Sequence, residues 1–280
     1  MLHQTGEGGL VSIVVPVFQC NPDHLRLSLK SLLGQTYDNL EIVLVIDSPL
    51  GSRDVETFDV LAEFQDDHRL RIFKRKHDRG FCSALNSGIL HSRGDLVGRL
   101  DADDYSEPDR IERQIQTLKE SNLALIGTWG RLIDGQGYEI ARVHPPVTQV
   151  AIRQRILLHN PFIHSSILLF KELFSDVGLY DQRFEGAEDY DFYLRLISQG
   201  YTCGNLPSYL TKLRETPRSI TRGYAWRRTR LRYLLTKWKA VSELGYTRGW
   251  DVVYAILSLP SMLISPELSG VAKKATGWYS

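Results

Sequence analysis

A chain of 280 residues accommodates one large domain or a domain with an appendage; 42% hydrophobic and 24% charged residues are soluble globular values, and a net charge of +1 gives no global reason to expect nucleic acid. Cys20, Cys82 and Cys203 are odd in number and widely spaced, which excludes a zinc pattern or a disulfide framework and favours a reducing compartment. The opening "MLHQTGEGGL" lacks a basic-then-apolar leader, and no stretch reaches the roughly 18 uninterrupted apolar residues of a spanning helix.

The runs "VSIVVPVF" (11–18) and "EIVLVI" (41–46) read as strands buried on both faces, as in a parallel sheet. Between them, Leu25, Leu29, Leu32 and Leu33 share one helical face, which makes a βαβ unit. A helix in "ETFDVLAEFQDD", a strand "LRIFKR", a short helix "SALNSGILHS" and a fourth strand "DLVGRL" follow. "PDRIERQIQTLKES" opens a helix near Pro108 and aligns Ile111, Ile115 and Leu118. This alternation predicts an open, mostly parallel α/β sheet over the first 120 residues. Beyond Leu123, "LALIGTWGRLID" and "SSILLF" read as strands and "AEDYDFYLRLISQG" as a helix, with Gly- and Pro-rich loops between. From Tyr224 the segment "YAWRRTRLRYLLTKWKA" mixes arginines and lysines with Trp, Tyr and Leu; the apolar run 252–264 after it is broken by Pro260.

Two groups of acids stand out. "RLDADDYSEPDRIER" places Asp101, Asp103 and Asp104 directly after the fourth strand, where ligands of open parallel sheets bind. Carboxylates in a D-x-D spacing share a hard divalent cation, which cancels their repulsion and keeps positions open for phosphate. The competing reading is that they cap the next helix, which suits Asp109 and Asp104 better than Asp101. Glu188 and Asp189 precede an amphipathic helix, either as first-turn acids favoured by its dipole or as a general base. Asp191 is expected to pair with Arg195 at i,i+4.

Taken in order, "VSIVVPVF", "SLLGQTYDNLEIVLVID", "RGFCSALNSGI", "RGDLVGRLDADD", "PDRI", "FIHSSILLF" and "EDYDFYLRL" resemble an inverting glycosyltransferase of family 2, over residues 11 to about 222. The resemblance implies a GT-A fold, an α/β Rossmann-like and mostly parallel open sheet, over residues 10–222, with a C-terminal helical extension over 223–280. By the resemblance, the backbone at Pro16 and Val17, with Asp47, holds the nucleotide base, Arg79 and Asn86 approach the nucleotide, and Asp101 meets the ribose. A solvated role for Arg79 and a cap or packing role for Asn86 compete with these. Asp103 is the implied ligand of Mn2+ or Mg2+, Asp189 the implied base with Glu188 beside it, and His164 lies in an H-S-S step near sugar or acceptor. Relatives often carry a His-x-x-Ser step after an Arg; here Arg214 and Ser219 fit but Thr216 replaces the His, and Arg218 and Arg222 are nearby substitutes toward the diphosphate.

The implied reaction moves a sugar from a nucleotide-sugar donor, of UDP type, to a saccharide or polyprenyl-diphosphate-linked acceptor in O-antigen, capsule or exopolysaccharide synthesis. The basic-aromatic segment 224–239 reads either as a surface for anionic membrane or as a helix packed on the core. The family reading favours a cytoplasmic enzyme, peripheral on the inner face of the cytoplasmic membrane, with no nucleic-acid partner. An Asp-dependent phosphohydrolase, or a non-catalytic module that binds sugar nucleotides, is the alternative; a dinucleotide oxidoreductase is excluded because "VFQCNPDH" has no glycine-rich turn.

Overall fold

In the computed structural model, residues 9–47, 53–75, 80–215, 226–247 and 253 are described. The first strand, β1 (Val11–Val17), is buried along its whole length, as is β2 (Leu40–Ile46). Helix α1 (Pro22–Leu33) joins them; the Asn21 side chain accepts from the Asp23 and His24 amides and Pro22 presets the first turn. Then come α2 (Arg53–Ala62), β3 (Leu70–Lys74), α3 (Phe81–His91) and β4 (Leu96–Arg99). These four strands lie parallel in the order β3-β2-β1-β4, as the alternation in sequence predicts. The chain first winds outward from β1 and then crosses to its other side. The crevice at the carboxyl end of β1, between β2 and β4, is therefore the point where strand order reverses.

The second half extends the sheet in mixed directions. β5 (Tyr105–Ser106), α4 (Arg110–Ser121), β6 (Leu125–Ile133), β7 (Glu139–Val143) and α5 (Gln149–Arg155) lead to a 3-10 turn at His164–Ser166. β8 (Leu168–Phe170), α6 (Leu173–Asp176), α7 (Glu188–Ser198) and β9 (Cys203–Arg214) complete it. β8 lies antiparallel between β4 and β6, β9 runs parallel to β6, and β5 pairs with β9. The sequence reading has no strand at β7 or β9. β9 contains Pro207, and its register with β6 jumps from Thr128↔Leu206 to Trp129↔Tyr209, an irregularity that accommodates a residue with no amide hydrogen.

Alternate residues of β1 feed two cores. Ile13 and Val15 pack with Leu25, Leu29, Ile111 and Ile115, while Val14 packs with Leu85, Ile89 and the buried face of α7. α3 lies so close to the sheet that a Cβ at Gly88 would sit 2.4 Å from Val14 Cγ1. Helix α8 (Trp226–Glu243) packs on α7: Tyr233 stacks on Tyr190 at 5.1 Å, and Ala240 and Tyr246 join the same core. No helix among the described residues is long and apolar enough to cross a membrane. The apolar run 252–264 lies outside the described residues apart from Val253.

Asp191 forms the expected pair with Arg195 (2.8 Å) and a second with Lys239 of α8 (2.7 Å), with its own side chain 0% exposed. Removing one member of a buried ion cluster leaves the others desolvated and unpaired. Asp191→Ala is expected to lower the unfolding free energy by about 3–5 kcal/mol, read by urea denaturation.

Candidate active site

The site is built on the carboxyl ends of β1, β2 and β4. Asp47 follows β2 directly, and its amide donates to the Val17 carbonyl (3.0 Å), which closes the end of β1. Its buried carboxylate pairs with Arg75 at 3.2 Å, and Arg75 also donates to Ser83 Oγ (2.8 Å). Pro16 and Val17 are buried beside it. The basic group that meets Asp47 among the described residues is Arg75. Arg79, the basic residue implied by resemblance, lies outside the described residues, as do Thr216, Arg218, Ser219 and Arg222.

The acidic turn after β4 is held mostly by its backbone. Ser28 donates to the Asp101 carbonyl (3.2 Å), the Asp104 amide closes a turn onto that carbonyl (3.1 Å), and Cys20 Sγ lies 3.5 Å from the Ala102 carbonyl. Arg214, at the end of β9, donates its amide to Asp104 Oδ1 (2.8 Å) and its Nε to the Asp103 carbonyl (3.1 Å). The carboxylates themselves crowd one another. Burial, with the charges of Asp101 and Asp103, pushes the Asp104 carboxyl well above the usual range. Burial and the Asp101 charge push Asp103 up to about 6. The Cys20 thiol is pushed up to about 12 by burial and by Asp103 and Asp101. Helix capping does not account for this, because the Asp109 side chain makes no cap hydrogen bond and pairs instead with Arg113 (3.1 Å).

Asp101 differs from its neighbours. It retains 35% of its side-chain exposure, Oδ1 pairs with Arg99, and Oδ2 accepts from the Ser165 hydroxyl (2.8 Å). Ser165 belongs to the 3-10 turn at His164–Ser166, and this turn links the two acid groups. His164 Nδ1 lies 3.9 Å from Asp189 Oδ2, and its Nε2 is 3.0 Å from the Tyr180 hydroxyl. Ligand-type atoms of His164, Glu188 and Asp189 all fall within 4.8 Å of one another. Burial and the Arg99 charge hold the His164 imidazolium well below the usual range, so this histidine is neutral and makes no ion pair with Asp189.

Glu188 and Asp189 begin α7, yet both are buried. Glu188 is pushed up to about 7 by burial and then by the Asp189 charge; its carboxylate accepts the Gly186 amide. Burial also raises Asp189, against the Tyr190 amide (2.7 Å), the Asn160 amide group (2.6 Å) and the Arg99 charge, all of which favour its ionised form. Both are therefore buried, raised carboxyls rather than solvated first-turn acids.

Three residues change standing in the fold. The Asn86 carboxamide donates to the Tyr180 carbonyl (2.8 Å) and accepts the Tyr180 amide (3.0 Å), the packing role that the sequence leaves open. Arg99 carries no role in the sequence reading; its signal there is one charge inside the apolar strand "LVGRL". Arg110, also unassigned, is fully buried and donates to the carbonyls of Arg99 (3.3 Å) and Ser165 (2.7 Å), fixing the end of β4 to the 3-10 turn. A divalent cation suits the acidic turn. Arg214 takes the Asp103 carbonyl and leaves its carboxylate, so a half-buried oxygen pair remains in surplus negative charge, the donor chemistry of a hard ion.

Residues 12–178 match the family model described as Glycosyl transferase family 2. The chain is 29% identical over 231 residues to the amylovoran biosynthesis glycosyltransferase AmsE of Erwinia amylovora, covering 81% of this chain and 85% of that protein. It matches the crystal structure of S. aureus TarS 1-349 in complex with UDP-GlcNAc with a TM-score of 0.66 at 16% identity, over 83% of this chain and 67% of that one. Of the longer TarS structure it spans 40%. The mannosyltransferase PcManGT from Pyrobaculum calidifontis, in complex with GDP-Man and Mn2+, matches with a TM-score of 0.63 at 18% identity, over 96% of this chain and 80% of that one. These likenesses give the mixed sheet its name, the GT-A fold. The chain is a glycosyltransferase and belongs to glycosyl transferase family 2.

Proposed function

We propose that this enzyme is an inverting, metal-dependent transferase that moves a sugar from a nucleoside-diphosphate donor, of UDP type, to a hydroxyl of a saccharide or lipid-linked acceptor in exopolysaccharide or O-antigen synthesis. The observation that carries the reading is the pair of acid groups, one at the strand-order reversal and one at the start of α7, joined through the His164–Ser166 turn. AmsE is named for polysaccharide synthesis, and the two structural neighbours hold UDP-GlcNAc and GDP-Man, which supports a nucleotide-sugar donor.

In this reading Asp47 and the β1 end receive the base, and Asp101 receives the ribose. Asp103 would hold Mn2+ or Mg2+, which when bound supplies Lewis-acid stabilisation of the leaving diphosphate. Asp189 takes the proton of the acceptor hydroxyl. The acceptor oxygen bonds to the anomeric carbon as that carbon's bond to the diphosphate oxygen breaks, and the nucleoside diphosphate leaves with the electron pair. One displacement inverts the configuration. Burial makes Asp189 a stronger base than a solvated carboxylate, while Asn160 and the Tyr190 amide keep its ionised form within reach.

The membrane side of the proposal rests on α8. Its packed face holds Thr229, Tyr233, Lys237 and Ala240, while Leu231 (56% exposed), Leu235 (51%) and Trp238 (73%) line the outer face at i, i+4 and i+7, with exposed Arg228 one turn before. A basic end followed by a Leu/Trp stripe suits the interface of an anionic bilayer at the inner membrane face.

The first test incubates the protein with a panel of nucleotide sugars, Mn2+ and acceptor, following release of nucleoside diphosphate. Release should be lost with chelator and with Asp103→Ala; nucleotide binding without turnover would favour the non-catalytic module. The second is pH dependence. The base must be deprotonated, and the Glu188–Asp189 pair is raised, with Glu188 at about 7, so kcat/KM should fall about tenfold per pH unit below neutrality and level off above it. Asp189→Asn should lower kcat by about 100–10,000-fold. A carboxyl raised by folding contributes full stability at low pH and loses it as pH rises through its folded value, so this variant should keep or raise the thermal midpoint at pH 8. The third is flotation on phosphatidylserine liposomes, where binding at low salt should weaken in high salt and with Trp238→Ala.

A further inference from the structure

We propose that Arg99 and Ser165 are positioning residues for the transfer: together they fix the Asp101 carboxylate, and Arg99 at the same time sets a buried positive charge against the His164–Ser166 turn, whose His164 meets Asp189. This rests on the function proposed above and deepens it.

Arg99 ends a four-residue strand whose other members are core, and its side chain is only 6% exposed. A guanidinium there costs desolvation that a strand end does not need. Its Nη2 pairs with Asp101 Oδ1, its Nη1 lies 3.4 Å from Ser165 Oγ, and it covers the Phe81 ring at 5.1 Å. Ser165 completes the grip from the other side, donating to Asp101 Oδ2 (2.8 Å) and accepting the Asp101 amide (3.2 Å). Each oxygen of Asp101 thus has its own partner, and the carboxylate keeps one orientation although a third of it faces outward. An Asp whose only task was to neutralise a buried arginine would not need a second clamp on its free oxygen or an outward face.

The second half concerns charge. Asp189 is faced by Glu188 on its own helix, by His164 and Asn160 from the segment before β8, and by the Tyr180 and Tyr193 hydroxyls, whose ionisation is pushed up by burial and by neighbours that include Asp189. None of these is positive, His164 included. Arg99 lies 3.4 Å from Ser165, in the turn whose His164 stands 3.9 Å from Asp189, so its charge favours the Glu188 and Asp189 carboxylates and opposes the His164 imidazolium. One side chain therefore touches the donor side and biases the acceptor side.

The experiment measures donor KM, kcat and the pH–rate profile for wild type, Ser165→Ala, Arg99→Lys and Arg99→Gln, with calorimetric titration of UDP as a readout without turnover. Ser165→Ala should raise donor KM and weaken UDP binding by about tenfold, with the effect larger on KM than on kcat. Arg99→Gln should move the acid limb of the profile up by about one pH unit, since losing a positive charge favours the protonated pair. Arg99→Lys should restore the limb but not KM, because an ammonium lacks the planar fork. An active wild type whose Ser165→Ala variant keeps its KM, or whose Arg99→Gln and Arg99→Lys profiles share one limb, overturns this inference and leaves the transferase reading standing. Should Arg99→Gln not fold, a normal donor KM in both Ser165→Ala and Arg99→Lys overturns it equally. A wild type that neither binds UDP nor releases a nucleoside diphosphate from any donor overturns the reading beneath it.

Discussion

Five carboxylates stand in two crowded groups whose members repel one another, and much of the surrounding structure holds them against that repulsion. Asp101, Asp103 and Asp104 follow one strand; Glu188 and Asp189 open one helix. Backbone anchors do most of the holding on the first side, through Ser28, Cys20 and Arg214. On the second side the Gly186 and Tyr190 amides and the Asn160 side chain do the same. Held in this way and buried, Asp103, Asp104, Glu188 and Asp189 cannot move apart, and their carboxyls are raised instead.

The sheet explains why one turn touches both acid groups. The reversal of strand order opens a crevice at the end of β1, and β8 then returns antiparallel against β4. The return brings the His164–Ser166 turn, which immediately precedes β8, to the end of β4. Arg110 locks that junction from below with two backbone carbonyls. α7 then carries the second acid group toward the turn, and α8 backs α7 through Tyr233 and Lys239, with Tyr246 just beyond it. Helix α8 thus supports the geometry of α7 through direct packing, whatever its outer stripe meets.

Elements with strong periodicity were legible in the chain itself. β1, β2 and β4 read as β-branched apolar runs, and α1, α4 and α7 as amphipathic repeats. β9 was not, because Pro207 and polar residues obscure a strand whose pairing is decided by β6 and β5. The Asp191–Arg195 pair was legible because i,i+4 neighbours meet in any helix; the Lys239 contact, 48 residues away, was not. The same divide separates Asp101, marked by its place after a strand, from Ser165, whose hydroxyl reaches it across 64 residues. Arg75 stands closer to Asp47 than sequence spacing reveals, since only parallel pairing of β2 with β3 brings their ends together.

The sequence by itself determined which residue types lie at which strand and helix ends: acids after β2 and β4, acids at the start of α7, and a parallel α/β frame to carry them. Local periodicity and like-charge crowding are properties of neighbours along the chain, so they survive without coordinates. Only the tertiary structure decided which of those acids are dry, which are clamped and which share a counter-charge. Burial and long-range pairing are set by packing among segments far apart in sequence. One guanidinium at the end of β4 shows the difference, a lone charge in the text of the chain and the shared partner of Asp101 and Ser165 in the fold.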